Sequence, residues 1–201
     1  MSEEGGHGAA DIAASEFILG GQKSGKSRRG EALAAAWLAR SPAHRAVLVA
    51  TGQAWDDEMR QRIALHQFER AARVPALETI EEPLRVPEAV MAASTPETLV
   101  LVDCLTLWLT NLMMPPELDP ARAAGPDWQD GVALLPEALA VAQGPVVLVS
   151  NEIGLGVIPL GAETRAFVDV LGRLNQQVAA ACERVTLMAA GLPLRLKGGA
   201  A

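Results

Sequence analysis

Five short aliphatic runs punctuate the chain: EFILG (16–20), AVLVAT (46–51), TLVLVD (98–103), PVVLVSN (145–151) and RVTLMAAG (184–191). Uninterrupted apolar runs of this length suit strands covered on both faces, as in a parallel sheet. Between them the spacing becomes helical and predicts helices over 26–40, 55–72, 86–93, 104–113, 131–142 and 162–182. The clearest is 26–40, where Leu33, Trp37 and Leu38 stand among alanines. Strand alternating with helix predicts a three-layer α/β domain around a mainly parallel sheet. The segment MPPELDPARAAGPDWQDG (114–131) is rich in Pro, Gly and Asp and predicts a surface loop or lid. Residues 1–15, acidic and rich in small residues, predict a flexible tail, leaving 16–201 as one domain. No internal repeat is visible.

Composition narrows the function. Half of the 201 residues are hydrophobic, which suits a packed core. A net charge of −7 and 3% aromatic residues argue against nucleic-acid binding, which needs a basic surface and stacking platforms. Two cysteines, Cys104 and Cys182, make neither a disulfide framework nor a zinc motif, so a cytoplasmic setting is expected. The N-terminus lacks the basic and apolar blocks of a signal peptide, and no apolar run reaches the roughly 20 residues needed to cross a bilayer.

The chemistry begins at GGQKSGKS (20–27). Gly20, Gly25, Lys26 and Ser27 match G-x-x-x-x-G-K-[ST], after a predicted strand and before a predicted helix. Backbone N–H groups from Gly20, Gly21, Gln22, Lys23, Ser24 and Gly25 would curl around phosphates, Lys26 would reach the outer phosphates, and Ser27 would ligate Mg²⁺. The acid closing TLVLVD, Asp103, suits a second contact to that cation. It suits equally an Asp capping the helix that follows.

His66 has two readings as well. Met59, Ile63 and His66 share a helical face, with Arg62 and Arg70 four residues either side of the histidine and Asp56 or Asp57 as N-cap. Two flanking guanidiniums would favour the neutral imidazole that attack on a polyphosphate needs. An ordinary histidine on a solvated amphipathic face fits the pattern too. His7 and His44 read as surface residues.

In order along the chain, GGQKSGKSRRGEAL, VLVATGQAWDDEMRQRIALH, TIEEP, LVDCLTLWLTNL, VLVSNEIGLGVIP, RAFVDVLGRLNQQVA and GLPLRLK resemble the bifunctional adenosylcobinamide kinase/adenosylcobinamide-phosphate guanylyltransferase family of cobalamin biosynthesis. The resemblance spans residues 17 to 197. It implies a RecA-like P-loop NTPase fold, a homotrimer, and two reactions with Mg²⁺, ATP and GTP. Adenosylcobinamide is phosphorylated by ATP or GTP; GMP then passes from GTP, through a covalent histidine intermediate, to adenosylcobinamide phosphate. By this resemblance the histidine is His66, and the nucleotide site takes in residues 20–27, Ala50, Thr51, Gly52, Gln67, Phe68, Glu69, Arg70, Glu81 and Asp103. For Asn151, Glu152, Arg165 and Asn175 it implies a site or subunit-interface role, although such groups just after a buried strand could equally satisfy backbone at a turn. Leu77 stands where the family commonly has tryptophan, and the His66–Glu81 spacing is a few residues longer.

Motifs alone would leave a small-molecule P-loop kinase as the leading reading and a GTP-dependent switch as its rival. The guanine-reading N-K-x-D element of such a switch is absent from the sequence.

Overall fold

The computed structural model describes residues 11–114 and 127–198. Seven strands form one sheet in the order β3-β2-β4-β5-β1-β6-β7. They are β1 (Ser15–Gly20), β2 (Arg45–Ala50), β3 (Leu77–Glu81), β4 (Thr98–Asp103), β5 (Val146–Asn151), β6 (Arg184–Ala189) and β7 (Leu192–Lys197). Every neighbouring pair is parallel except β6 and β7. The helices are α1 (Lys26–Leu38), α2 (Asp57–Arg73), α3 (Val86–Ala93), α4 (Leu105–Met113), α5 (Trp128–Val141) and α6 (Ala162–Ala181).

The five aliphatic runs are the five inner strands, and four of them are buried at nearly every position. Alternate residues face opposite sides of a strand, which splits the core in two. Ile18, Leu48, Leu101 and Val149 meet Leu33, Ala34 and Trp37 of α1. Phe17, Val102 and Leu148 face the layer of α3 to α6, where Trp108, Leu135 and Leu171 are fully buried. The result is the three-layer P-loop NTPase fold. Among the described residues no helix is long and apolar enough to cross a membrane.

Three expectations need correction. The tail was expected to run through residue 15, but Asp11–Ser15 is docked. Ser15 opens β1, Ala13 is buried, Ala14 N–H donates to Glu183, and Arg184 holds Asp11. The predicted lid ends earlier than residue 131, because Asp127 Oδ1 accepts from Gln129 N–H at 2.8 Å and starts α5 at Trp128. Residues 115–126 lie outside the described residues, as do 1–10. The edge strands β3 and β7 were not expected.

Candidate active site

The turn after β1 carries the phosphate-loop motif. Gly25, at φ 100°, is the N-cap of α1 in a left-handed conformation suited to glycine. It brings no side-chain cap, and no acid stands in the first turn. The leading N–H groups of α1 are therefore left to an anion, at the positive end of the helix dipole. At Gly20 a Cβ would lie 2.5 Å from the Met188 carbonyl oxygen, so only glycine lets the loop pass this close to β6. Lys26 is 8% exposed and donates from Nζ to the Gly21 carbonyl at 2.7 Å. Burial lowers its pKa, and the neighbouring Cys104 and Asp103 raise it back in part. Phosphate at the loop would restore the surroundings that burial removes.

Asp103 closes β4, and its carboxyl hydrogen-bonds with the Ser27 side chain. Burial raises its pKa; the Ser27 bond and the charges of Arg70 and His66 pull the other way. Ser27 can reach β4 because α1 lies close over it: a Cβ on Gly30 would come 2.7 Å from Leu101 Cδ1. Ala50 pairs with both Glu81 and Asp103, so these three form a row across the C-terminal ends of β3, β2 and β4. That end of a parallel sheet is where α/β folds bind ligands. A hydroxyl and a desolvated carboxylate beside a phosphate loop suit Mg²⁺, whose other ligands come from phosphates and water. Ser27 and Asp103 are the residues that would hold it.

Thr51 acts inside the scaffold. Fully buried, its hydroxyl donates to the Cys104 carbonyl and accepts from the Cys104 N–H, both at 2.8 Å. Asn111 Nδ2 donates to the Thr51 carbonyl at 2.8 Å. These bonds lock the end of β2 to the turn after Asp103. Gly52 follows, with Ile63 of α2 packed over it.

The helix bearing His66 is unusual. Asp56 caps it, Oδ1 accepting from Met59 N–H at 2.7 Å, yet none of its 17 residues is buried. Met59 and Ile63 are half-buried and His66 is exposed, as is Arg62. The two guanidiniums expected beside the imidazole are not equivalent, because Arg70 is engaged with Glu31 of α1 and Thr79 of β3. Between α2 and β3 a cleft of about 400 Å³ brings together Gln67, Arg70, Thr79 and Glu81. Phe68, 76% exposed, and Glu69, paired with Arg73, do not line it.

A second cleft, of about 390 Å³, lies on the outer side of the loop, between Gln22, Lys23, Glu152, Leu155 and Met188. Asn175 Nδ2 holds the Asn151 carbonyl at 3.1 Å, and Arg165 braces the following loop through the carbonyls of Pro159 and Leu160.

The sequence profile of the cobinamide kinase/cobinamide phosphate guanyltransferase family matches residues 16–196. The chain belongs to that family. It is 48% identical to the bifunctional adenosylcobalamin biosynthesis protein CobP of Pseudomonas aeruginosa, over 91% of this chain and 97% of that protein. It is 34% identical to the bifunctional adenosylcobalamin biosynthesis protein CobU of Escherichia coli, over 90% of this chain and 98% of that one. Membership makes the chain a bifunctional enzyme of cobalamin biosynthesis. Among solved structures it resembles the flagellar accessory protein FlaH from Methanocaldococcus jannaschii, with a TM-score of 0.50 at 14% identity. That match covers 94% of this chain and 82% of FlaH, and it speaks for the fold alone.

Within this cobinamide kinase/guanyltransferase fold, sequence reasoning passed over Glu31. The signal was available: α1 buries Gly30, Leu33, Ala34 and Trp37, and a carboxylate on that same face requires a partner.

Proposed function

We propose that this chain phosphorylates adenosylcobinamide with ATP or GTP and then guanylylates the product through His66. The observation that carries the reading is geometric. Arg70, one turn beyond His66, lines a cleft with Thr79 and Glu81, and Glu81 stands in one row with Ala50 and Asp103 at the strand ends beside the phosphate loop.

In the first reaction the γ-phosphoryl group leaves its nucleotide for the aminopropanol hydroxyl, whose proton is lost. The loop N–H groups and Lys26 hold the phosphates and offset the charge that builds on them. In the second, an imidazole nitrogen of His66 attacks the α-phosphorus of GTP. An N–P bond forms, the bond to the β-phosphate oxygen breaks, and pyrophosphate departs. An oxygen of adenosylcobinamide phosphate then displaces the imidazole, giving adenosylcobinamide-GDP. Mg²⁺ bound by Ser27 and Asp103 would draw charge off the phosphates. The α2–β3 cleft suits the base. The Glu81 carboxylate can accept from the N1–H and amino group of guanine, with Gln67 beside it.

Mass spectrometry of GTP-treated protein tests the route. GMP is expected on His66, stable to alkali and lost in acid as a phosphoramidate. His66→Asn should abolish both the label and guanylyl transfer while phosphorylation persists. GMP on another residue would overturn the assignment.

Assembly belongs to the same proposal, as a homotrimer. Leu155, Val157, Ile158 and Leu160 after β5 are 77–99% exposed, and Leu65 and Phe68 of α2 are exposed as well. So many uncovered aliphatic side chains suit burial against other copies. A stable monomer in sedimentation equilibrium at micromolar concentration would remove it.

A further inference from the structure

Glu31 lies one helical turn beyond Ser27 on α1 and is 4% exposed. Its Oε2 accepts from Arg73 Nε at 2.6 Å, and its Oε1 stands 3.7 Å from Arg70 Nε. Both arginines belong to α2, and Arg70 is four residues from His66. The hydrogen bond to Glu31 is the first cause of a raised pKa at Arg73. Arg70 also reaches Thr79 of β3 at 3.4 Å.

These contacts matter because α2 has so little else. It buries no residue of its own; Ile63 packs over Gly52, and its C-cap residue, Val74, joins the core beside Leu33 and Trp37 of α1. Glu16, the other buried carboxylate that pairs with arginine among the described residues, is different. Its partners Arg29, Arg184 and Thr186 all lie in α1 and β6, within the body of the fold. Glu31 instead joins the phosphate-loop helix to the histidine helix.

From this geometry we infer that Glu31 is a positioning residue for guanylyl transfer, holding His66 in register with the phosphate loop by clamping Arg70 and Arg73. The inference rests on the His66 reading above. With the carboxylate removed, α2 keeps its cap, its own hydrogen bonds and the Val74 anchor at its C-terminal end but loses its ionic tie to α1. The imidazole then samples positions away from the α-phosphorus, and an offset of about an ångström is enough to cost rate. Phosphorylation uses Lys26 and the loop, which stay on α1.

The test is Glu31→Gln in the full chain, with three readouts. The ratio of guanylyl transfer to phosphorylation is expected to fall about tenfold, through kcat more than through the KM for GTP. Amide hydrogen exchange over residues 57–73 should quicken while α1 and β4 keep their protection. Glu31→Asp should recover part of both effects, and adding Arg73→Gln to Glu31→Gln should cost little more than either alone. Equal loss of the two activities would reduce Glu31 to a structural role and overturn the inference. So would unchanged transfer with α2 as protected as before. A wild-type protein that never carries GMP on His66 defeats the functional reading instead. Exchange across α2 then decides the clamp by itself: faster exchange upholds it, unchanged exchange overturns it.

Discussion

Burial pushes the Asp103 carboxyl above its ordinary value, so the folded chain holds that proton more tightly than the unfolded chain does. Its contribution to stability is full below the ordinary value of 3.8 and is lost as pH rises through the folded value. Wherever it ionises, the carboxylate is therefore a burden on the fold. Asp103→Asn keeps an acceptor for Ser27 and is expected to melt no lower than wild type, while phosphorylation falls by about 100-fold. Thermal melts beside single-turnover rates check this. A much lower melting temperature with full activity would make Asp103 a scaffold residue. Lys26 follows similar logic with the opposite charge. Lys26→Ala is expected to fold normally and to lose about 100-fold or more in phosphorylation. It should also lose most of the thermal stabilisation that nucleotide gives wild type, since ligand stabilises only as far as it binds. A thermal-shift titration with GTP measures that loss.

Elements hold these residues in place through a few internal bonds. Thr51→Val preserves shape and removes the hydroxyl that pairs with both the N–H and the carbonyl of Cys104. Each buried group left without a partner costs about 1–3 kcal/mol. Urea unfolding should register the loss, and an unchanged midpoint would mean that water replaces the hydroxyl. At this scale the sequence was readable wherever burial was two-sided. The runs at Phe17–Leu19 and Leu99–Val102 are apolar because helices cover both faces. LETIE and LPLRLK lie at the sheet edges, where every position but Leu77 meets solvent, so their pattern carries no such run. The phosphate loop was legible because backbone geometry demands its glycines. The role of His66 was not legible from pattern, since an exposed histidine on an unburied helix looks like any surface histidine. Only the longer motif around it singled it out.

Across the whole molecule, Cys104 and Cys182 sit on opposite layers and answer alkali alike. Burial pushes each thiol up from 9.0 to about 12. Each stays protonated longer in the fold than in the unfolded chain. Their contribution to stability is full below about pH 9 and is lost as pH rises from there towards 12. Melting temperature should therefore decline steadily above pH 9. At pH 8 a thiol reagent should label both cysteines only as fast as the chain unfolds. Rapid labelling of the native protein would contradict this.

The unburied face of α2 has a thermal consequence. Unfolding of the sheet and its covering helices exposes apolar surface, so it carries a large heat-capacity change and a strongly curved dependence on temperature. Release of α2 exposes much less new apolar surface, chiefly that of the half-buried Met59 and Ile63, because none of its residues is fully buried. Its docking should show a smaller heat-capacity change and a weaker urea dependence than global unfolding, while responding to ionic strength through Arg70 and Arg73. Cooling, which weakens apolar contacts, would loosen the seat of the histidine helix less than it loosens the core.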